Sequence, residues 1–115
     1  MIPERFRGQI EALLEPGFNN LEQVDQALAE GAILGWFGRD SAIIGFIEEH
    51  DAGAKALRII WGVGDLSEIR NEMQPPIEAW AKSQGCRTIL VQGRKGWERA
   101  LPGYRLDHIV VRKEI

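Results

Sequence analysis

Three consecutive side chains of this sequence have the chemistry of acid–base catalysts. Glu48, Glu49 and His50 follow one another directly. A carboxylate or an imidazole can take a proton from a reacting group when burial moves its pKa toward neutrality. We predict Glu48 and Glu49 as candidate general bases, and the alternative interpretation is a solvated cluster of charges at the end of a strand.

A second set of residues combines positive charge with an aromatic ring. Arg94, Lys95, Trp97 and Arg99 lie within the sequence GCRTILVQGRKGWERALPGY, residues 85–104. An indole beside guanidinium groups can stack on a base or an adenine ring, and packing of Trp97 under the basic turn is the alternative. The net charge of −3 argues against a nucleic-acid-binding module. We therefore predict these four residues as a contact surface for a partner.

The distribution of charge along the chain favours the same conclusion. From residue 82 to the end there are eight basic and three acidic residues, a net charge of +5, whereas residues 1–81 carry a net charge of −8. Such asymmetry indicates either an anionic ligand or acidic protein partner near the C-terminal third, or an attraction between the two halves of the chain.

Composition predicts an ordinary globular protein of one domain, residues 1–115. The chain has 115 residues, of which 44% are hydrophobic and 27% charged, and no apolar run is long enough to span a bilayer. Acidic residues near the N-terminus do not fit an export signal, so we expect a cytoplasmic protein. The single Cys86 excludes an intramolecular disulfide, and no histidine has a second histidine or a cysteine at metal-ligand spacing.

The N-terminal half is predicted to form two helices followed by three strands. Pro3 suits the first turn of a helix that runs to about Glu15. Asn19 and Glu22 have the spacing of a capping box for the second helix, which ends at Gly31. Runs rich in β-branched and aromatic residues then predict a hairpin, residues 32–37 and 42–47, and a third strand, residues 56–63.

The C-terminal half is predicted to alternate helix and strand. An apolar stripe predicts a helical region from about Ile69 to Gly85, and Pro75-Pro76 favours a short helical turn followed by a new helix. Residues 88–92, TILVQ, fit a buried strand, residues 94–101 a short helix, and residues 104–112 a last strand. The predicted order is α-α-β-β-β-α-β-α-β.

This order, with the run IEAWAKSQGCRTILV at residues 77–91 and the pair Gly103-Tyr104, resembles the GNAT superfamily of N-acetyltransferases. The GRKGWER turn is similar to that of compact acetyltransferase-like proteins encoded by tailed bacteriophages. The resemblance implies an α/β (α+β) fold: a mixed sheet with helices on both faces, in which two central parallel strands splay apart.

The resemblance also implies a cofactor, acetyl-CoA. In the resembled superfamily a loop patterned (Gln/Arg)-x-x-Gly-x-(Gly/Ala) cradles the pyrophosphate with backbone N–H groups at a helix N-terminus. Counted back from Gly85-Cys86, this loop falls on residues 65–70, where Glu68 and Arg70 take the glycine positions and Asp65 takes the first. Two carboxylates facing the pyrophosphate would repel it.

A shifted alignment places the phosphate-binding turn on Trp61-Gly62-Val63-Gly64. Ser67 then caps the following helix and Arg70 contributes a guanidinium to the phosphates. Gly62, Gly64, Ser67 and Arg70 are the candidate cofactor-binding residues on this interpretation. The alternatives are a strand end that turns into a loop, and an arginine on a solvated helix face.

The resemblance implies a catalytic tyrosine on the short helix, at a position that falls near Arg99. Tyr104, the only tyrosine, takes the Gly-aromatic position instead, where it is a candidate catalytic residue or a packing residue.

Three functions follow, in order of preference. The first is a non-catalytic or atypical acetyltransferase-like protein with a degenerate acyl-CoA loop, such as a phage accessory or virion component. The second is a CoA-dependent N-acyltransferase acting on a small amine or a protein amine. The third is a nucleic-acid-binding module.

Overall fold

Two helices precede the sheet in the computed structural model, which describes residues 1–92, 97–105 and 112–114. Helix α1 (Glu4–Glu11) ends earlier than predicted, because the N–H groups of Leu13 and Leu14 bond to carbonyls three residues back and tighten the chain into turns. Helix α2 (Leu21–Glu30) begins with the capping box one residue later than predicted, on Asn20 and Gln23, and ends at Gly31 as predicted.

Four strands form one mixed sheet. Strands β1 (Leu34–Phe37), β2 (Ala42–Glu49), β3 (Lys55–Val63) and β4 (Cys86–Val91) lie side by side in that order. The pairs β1–β2 and β2–β3 are antiparallel, and β3–β4 is parallel. The predicted hairpin is confirmed, with residues 38–41 as its turn.

The two prolines determine how the crossover helix between β3 and β4 is built. Short helix α3 (Leu66–Glu68) continues through a π-helical turn (Ile69–Met73) into α4 (Gln74–Ser83). Prolines in the first turn of α4 have no N–H for the carbonyls four residues back. The N–H of Gln74 bonds instead to the carbonyl of Ile69, five residues back. A new α-helical segment thus starts at the prolines, as predicted.

Helices cover both faces of the sheet, as predicted. On one face, α4 and the π-helical turn pack on Ile43, Leu57 and Ile59. On the other face, α1 and α2 pack on Ala42 and Ile44. Because successive side chains of β2 point to opposite faces of the sheet, this strand contributes residues to both cores.

A β-bulge interrupts β3 shortly before it ends. Ile44 lies opposite Trp61 while Gly45 lies opposite Ile59, so Ile60 is the extra residue. Ile60 and Trp61 therefore both face the α1–α2 core, whereas Ile59 faces α4. The bulge turns the end of β3 relative to its beginning.

Two predicted elements extend beyond the described residues. Helix α5 (Trp97–Ala100) corresponds to part of the predicted helix, and most of the predicted last strand, residues 106–111, lies outside them. Strand β4 is only partly buried in the described structure, in contrast to the buried strand predicted from residues 88–92. No helix among the described residues has the length and apolar character needed to cross a membrane.

Candidate functional site

Strands β3 and β4 separate at the C-terminal end of their ladder. Their last residue pair is Ile59 and Val91, followed by one hydrogen bond of 2.9 Å from the N–H of Gln92 to the carbonyl of Ile59. Strand β3 then continues to Val63 with only β2 as a partner in the described structure. This is the predicted splay between two parallel strands, the place where an open α/β sheet binds ligands.

The space between the separated strands is narrow. A cavity of about 20 Å³ lies there, which is room for about one water molecule. Its lining is mostly apolar and comes from β2, β3, β4, the crossover helix and the segment after α5: Ile43, Ile59, Gly62, Ile69, Gln74, Val91, Gln92 and Leu101.

The turn from β3 into α3 is packed tightly against the β1–β2 turn. Gly64 has a φ of +111°, and a Cβ atom there would lie 2.1 Å from the carbonyl oxygen of Asp40 and 2.6 Å from the Cα of Ser41. The glycine is therefore required by this contact with neighbouring backbone, independently of any ligand.

Two backbone N–H groups of this turn donate hydrogen bonds within the protein. The N–H of Asp65 donates to Oγ of Ser41 over 2.9 Å, and that hydroxyl donates to the carbonyl of Asp65 over 3.1 Å. The N–H of Ser67 donates to Oδ1 of Asp65 over 2.9 Å, so the aspartate caps its own helix. A carboxylate already lies where a helix N-terminus would bind an anion.

Glu68 is turned into the protein, which corrects the expectation that it faces a pyrophosphate. Its side chain is only 4% exposed and accepts hydrogen bonds of 2.9 Å from the backbone N–H groups of Arg39 and Asp40. The Ser41 hydroxyl, whose single proton is shared between this carboxylate and the carbonyl of Asp65, these N–H groups and the Arg39 guanidinium hold the pKa of Glu68 below its ordinary value, against the opposing effect of burial. Glu68 ties the helix start to the β1–β2 turn.

The other residues predicted to bind a cofactor lie near this turn without forming a phosphate cradle. Gly62 lines the narrow cavity. Ser67 is exposed, and its hydroxyl accepts a hydrogen bond of 3.3 Å from the side chain of Asn71. Arg70 is exposed on the crossover helix, where its Nε donates to Asn71 over 3.4 Å.

The predicted general bases, Glu48 and Glu49, lie at the end of the sheet opposite the cavity between β3 and β4. Strand β2 is antiparallel to β3, so Glu48 and Glu49 pair with Ala56 and Lys55 at the beginning of β3. Glu48 forms a salt bridge with Arg58, and this hydrogen-bonded guanidinium lowers the pKa of Glu48. The Nε2 atom of His50 lies 3.2 Å from Glu48. This arrangement fits an ion-pair cluster at the end of the two central strands.

Tyr104 is a link between the C-terminal segment and helix α4. Its hydroxyl donates to the carboxylate of Glu78 over 2.9 Å and accepts a hydrogen bond of 2.8 Å from Nε2 of the buried Gln74. Burial, and then the hydrogen bond to Glu78, raise the pKa of the phenol. The hydroxyl therefore retains its proton strongly, which suits a structural hydrogen bond better than proton donation.

Replacement of Tyr104 tests this structural role. We expect Tyr104→Phe to lower the free energy of unfolding by about 1–2 kcal/mol, because the buried amide of Gln74 loses its acceptor. Glu78→Gln is the matched control: it keeps an acceptor for the phenol and should cost less. Equilibrium urea denaturation measures both, and an unchanged stability of Tyr104→Phe would contradict the role.

The predicted contact surface lies largely outside the described residues. Arg94 and Lys95 are not among them, and Trp97 is described for its backbone only. Arg99 is exposed at the end of α5. The surface as a whole stays a prediction.

Sequence reasoning did not identify Ser41 as part of this site. Ser41 is completely buried, and its hydroxyl joins the β1–β2 turn to Asp65. The sequence shows only a serine at the end of the predicted hairpin turn. Its hydrogen-bond partner, Asp65, is distant in sequence, so no neighbouring residue indicates the contact.

The fold was compared with known proteins. No family model matches the sequence, and no curated protein matches it. Solved structures do match, at 12–18% sequence identity for the three described below. An aminoglycoside acetyltransferase from an uncultured soil metagenomic sample, in complex with sisomicin, superposes with a TM-score of 0.70 at 12% identity, over 96% of this chain and 86% of the other.

Two further structures have similar scores. Glucosamine-6-phosphate N-acetyltransferase from Arabidopsis thaliana has a TM-score of 0.60 at 18% identity, covering 95% of this chain and 88% of its own. A predicted acetyltransferase with acetyl-CoA from Clostridium acetobutylicum has a TM-score of 0.62 at 13% identity, covering 96% and 84%. The protein therefore has a GNAT-like fold.

Proposed function

We propose that this protein is a non-catalytic member of the GNAT fold that acts by binding a partner and does not use acetyl-CoA. The observation that carries the proposal is the closed turn between β3 and α3. Asp65 caps the helix with its own carboxylate, and the Asp65 N–H is bonded to Ser41. Two of the backbone donors available to a pyrophosphate at this turn are thus engaged within the protein.

Charge near the turn supports the same proposal. Asp65 and Glu68 are both carboxylates, and Arg39 is directed to acidic partners, Glu72 at 3.0 Å and Glu68 at 3.7 Å. A pyrophosphate would meet the negative charge of Asp65 at the helix N-terminus and would have to displace it. The residues present do not fit the phosphates of acetyl-CoA.

The predicted acid–base groups add a second argument. Glu48 is engaged by Arg58 at the far end of the sheet, and Tyr104 holds its proton in a hydrogen bond to Glu78. Neither group lies in the lining of the cavity between the splayed strands. The proposal accordingly assigns no catalytic residue.

A thermal-shift measurement with acetyl-CoA tests the proposal. We expect no rise in melting temperature at about 1 mM acetyl-CoA. A cofactor bound with a dissociation constant a hundredfold below its concentration would add about 2.7 kcal/mol to the free energy of unfolding, which is easily detected. A clear rise would contradict the proposal.

The variant Asp65→Asn tests why acetyl-CoA is expected not to bind. Asparagine still caps the helix but removes the negative charge. A thermal shift with acetyl-CoA that appears only in this variant assigns the exclusion to the carboxylate. No shift in either protein assigns it to the closed geometry of the turn.

A CoA-dependent N-acyltransferase is the second candidate, favoured by the separation of β3 and β4 and its apolar lining. It would act on a small amine or a protein amine, and it requires the narrow cavity to widen. Transfer of radiolabelled acetyl groups to a panel of amines would reveal it.

We also propose where the protein acts. The similarity of the sequence GRKGWER to phage-encoded proteins supports a phage accessory or virion component located in the host cytoplasm or the virion. A protein partner held through the basic C-terminal third fits such a role better than nucleic acid does.

A further inference from the structure

Strand β1 forms the edge of the sheet farthest from β4, and in the described structure it pairs with β2 alone. The backbone N–H of Gly38 bonds to the carbonyl of Ser41 over 2.8 Å and closes the hairpin. Hydrogen-bonded and non-hydrogen-bonded pairs alternate along an antiparallel ladder. Counted back from Gly38, the backbone groups of Trp36 and Leu34 therefore bond to β2.

The backbone groups of Gly35 and Phe37 consequently point away from the sheet. Within the described part of the chain, neither residue has a hydrogen bond on that side. Gly35 is only half-buried, and because glycine has no side chain, this exposure belongs to its backbone. The N–H and C=O groups of both residues are thus available to a further strand.

The two internal segments between the described ranges, residues 93–96 and 106–111, are too short to reach this edge and return. Their described neighbours lie on the other side of the sheet. Gln92 bonds to β3, Arg105 borders a groove beside β4, and Arg112 pairs with the residues after α1, a helix that contacts β3. Six residues between fixed ends span at most about 25 Å. The path from β4 to the outer side of β1 alone is about 19 Å.

The edge of β1 is complementary to itself. When two copies pair antiparallel about a two-fold axis at Trp36, Gly35 of each copy lies opposite Phe37 of the other. Both of these pairs then exchange N–H···O bonds through the groups that point away from the sheet. The two Trp36 side chains, each half-buried in the single chain, meet at the non-hydrogen-bonded position, where side chains approach most closely and aromatic pairs stabilise a sheet.

Charges at the two ends of this edge match in the same register. Arg39 of one copy lies opposite Ile33 of the other, near the C-terminal end of helix α2. That end carries the acidic Glu30, has no basic residue in its last turn, and attracts cations through the helix dipole. Arg39 and Glu30 are both exposed. The two-fold arrangement brings these opposite charges together twice.

From the unpaired edge, its self-complementary register and the matched charges, we propose that two copies of this protein join their sheets through antiparallel β1 strands. The four residues of β1, LGWF, include no charge and no proline, which are the residues that commonly protect a sheet edge from pairing. Because the strand is short, the association is weak and depends on concentration. The inference is independent of the proposed function, since it needs neither the unnamed partner nor acetyl-CoA.

Amide hydrogen exchange measured by NMR at two concentrations of the intact chain tests the pairing. We expect the N–H groups of Gly35 and Phe37 to exchange about threefold or more slowly at about 1 mM than at about 20 µM protein, because only the dimer protects them. The N–H groups of Leu34 and Trp36, already bonded to β2, are the internal control and should change much less. Sedimentation equilibrium over the same range measures the dimer directly.

A charge swap tests the orientation of the two copies. Glu30→Arg places it near Arg39 of the other copy and should weaken dimerisation about fivefold or more. The double variant Glu30→Arg/Arg39→Glu restores opposite charges and should recover most of the affinity. The matched control Glu22→Arg makes the same change in net charge as Glu30→Arg at an exposed position in the first turn of α2, and should stay within about twofold of the unmodified protein.

Arg39 also contacts Glu72 of its own chain, so unfolding curves establish that the double variant is folded before its dimerisation is compared. If it is not folded, the comparison of Glu30→Arg with Glu22→Arg decides the test. Equal effects of these two substitutions would contradict the register.

Three results would overturn the inference. The first is a monomer at every concentration, whether or not it pairs with a strand of another protein. The second is a dimer in which the exchange of Gly35 and Phe37 is unchanged, because it would use another surface. The third is protection of these N–H groups in the monomer, because the edge would then be covered within one chain. None of them affects the acetyl-CoA measurement, and a thermal shift with acetyl-CoA would leave the pairing of β1 untouched.

Discussion

Substitution of Gly64 by alanine is expected to destabilise the protein by at least about 3 kcal/mol. A residue with a Cβ atom is strained at a φ of +111°, and the added atom would lie 2.1 Å from the carbonyl oxygen of Asp40, which belongs to backbone. This close contact can be relieved only if the β1–β2 turn moves away. That movement would stretch the hydrogen bonds between Ser41 and Asp65. Equilibrium urea denaturation gives the loss in free energy of unfolding.

Gly53→Ala separates the two causes of that loss. Gly53 has a φ of +92°, close to that of Gly64, but no atom lies within 4 Å of the position of an added Cβ. We expect the backbone strain alone to cost about 1 kcal/mol there. Equal losses at the two positions would show that the packing of Gly64 against the β1–β2 turn contributes nothing.

The elements of this fold were predictable wherever the signal was local. The hairpin from β1 to β2 follows from β-branched and aromatic runs around a polar turn, and the start of α4 follows from Pro75-Pro76. The end of α1 was less predictable, because Leu13 and Leu14 continue the helical spacing while their N–H groups bond only three residues back. Spacing alone does not distinguish a last α-helical turn from a tighter one.

The candidate site was less predictable because its decisive contacts join distant segments. Alignment placed Glu68 at a glycine position of the loop, yet its orientation depends on the N–H groups of Arg39 and Asp40. The location of Glu48 likewise depends on strand direction, since the antiparallel pairing of β2 and β3 places the end of one beside the start of the other. Neither fact is encoded in the residues adjacent to these carboxylates.

Glu68 is the carboxylate whose loss should change stability most. Glu68→Gln replaces one acceptor oxygen with an NH₂ group that faces the N–H donors of the β1–β2 turn, so donors oppose one another in a buried place. We expect its fall in the free energy of unfolding at pH 7 to be at least about three times that of Glu72→Gln, which alters an exposed ion pair with Arg39.

The pH dependence of this difference gives a sharper test. The pKa of Glu68 in the folded protein lies below its ordinary value of 4.5, so its contribution is fully present above that pH and is lost as the pH falls through the folded pKa. Protonation gives the original side chain the same mismatch of donors that the amide has. Urea denaturation midpoints of the unmodified protein and of Glu68→Gln should therefore converge between pH 7 and pH values below 4.5. Parallel curves across that range would mean that the charge of Glu68 does not hold the helix start to the β1–β2 turn.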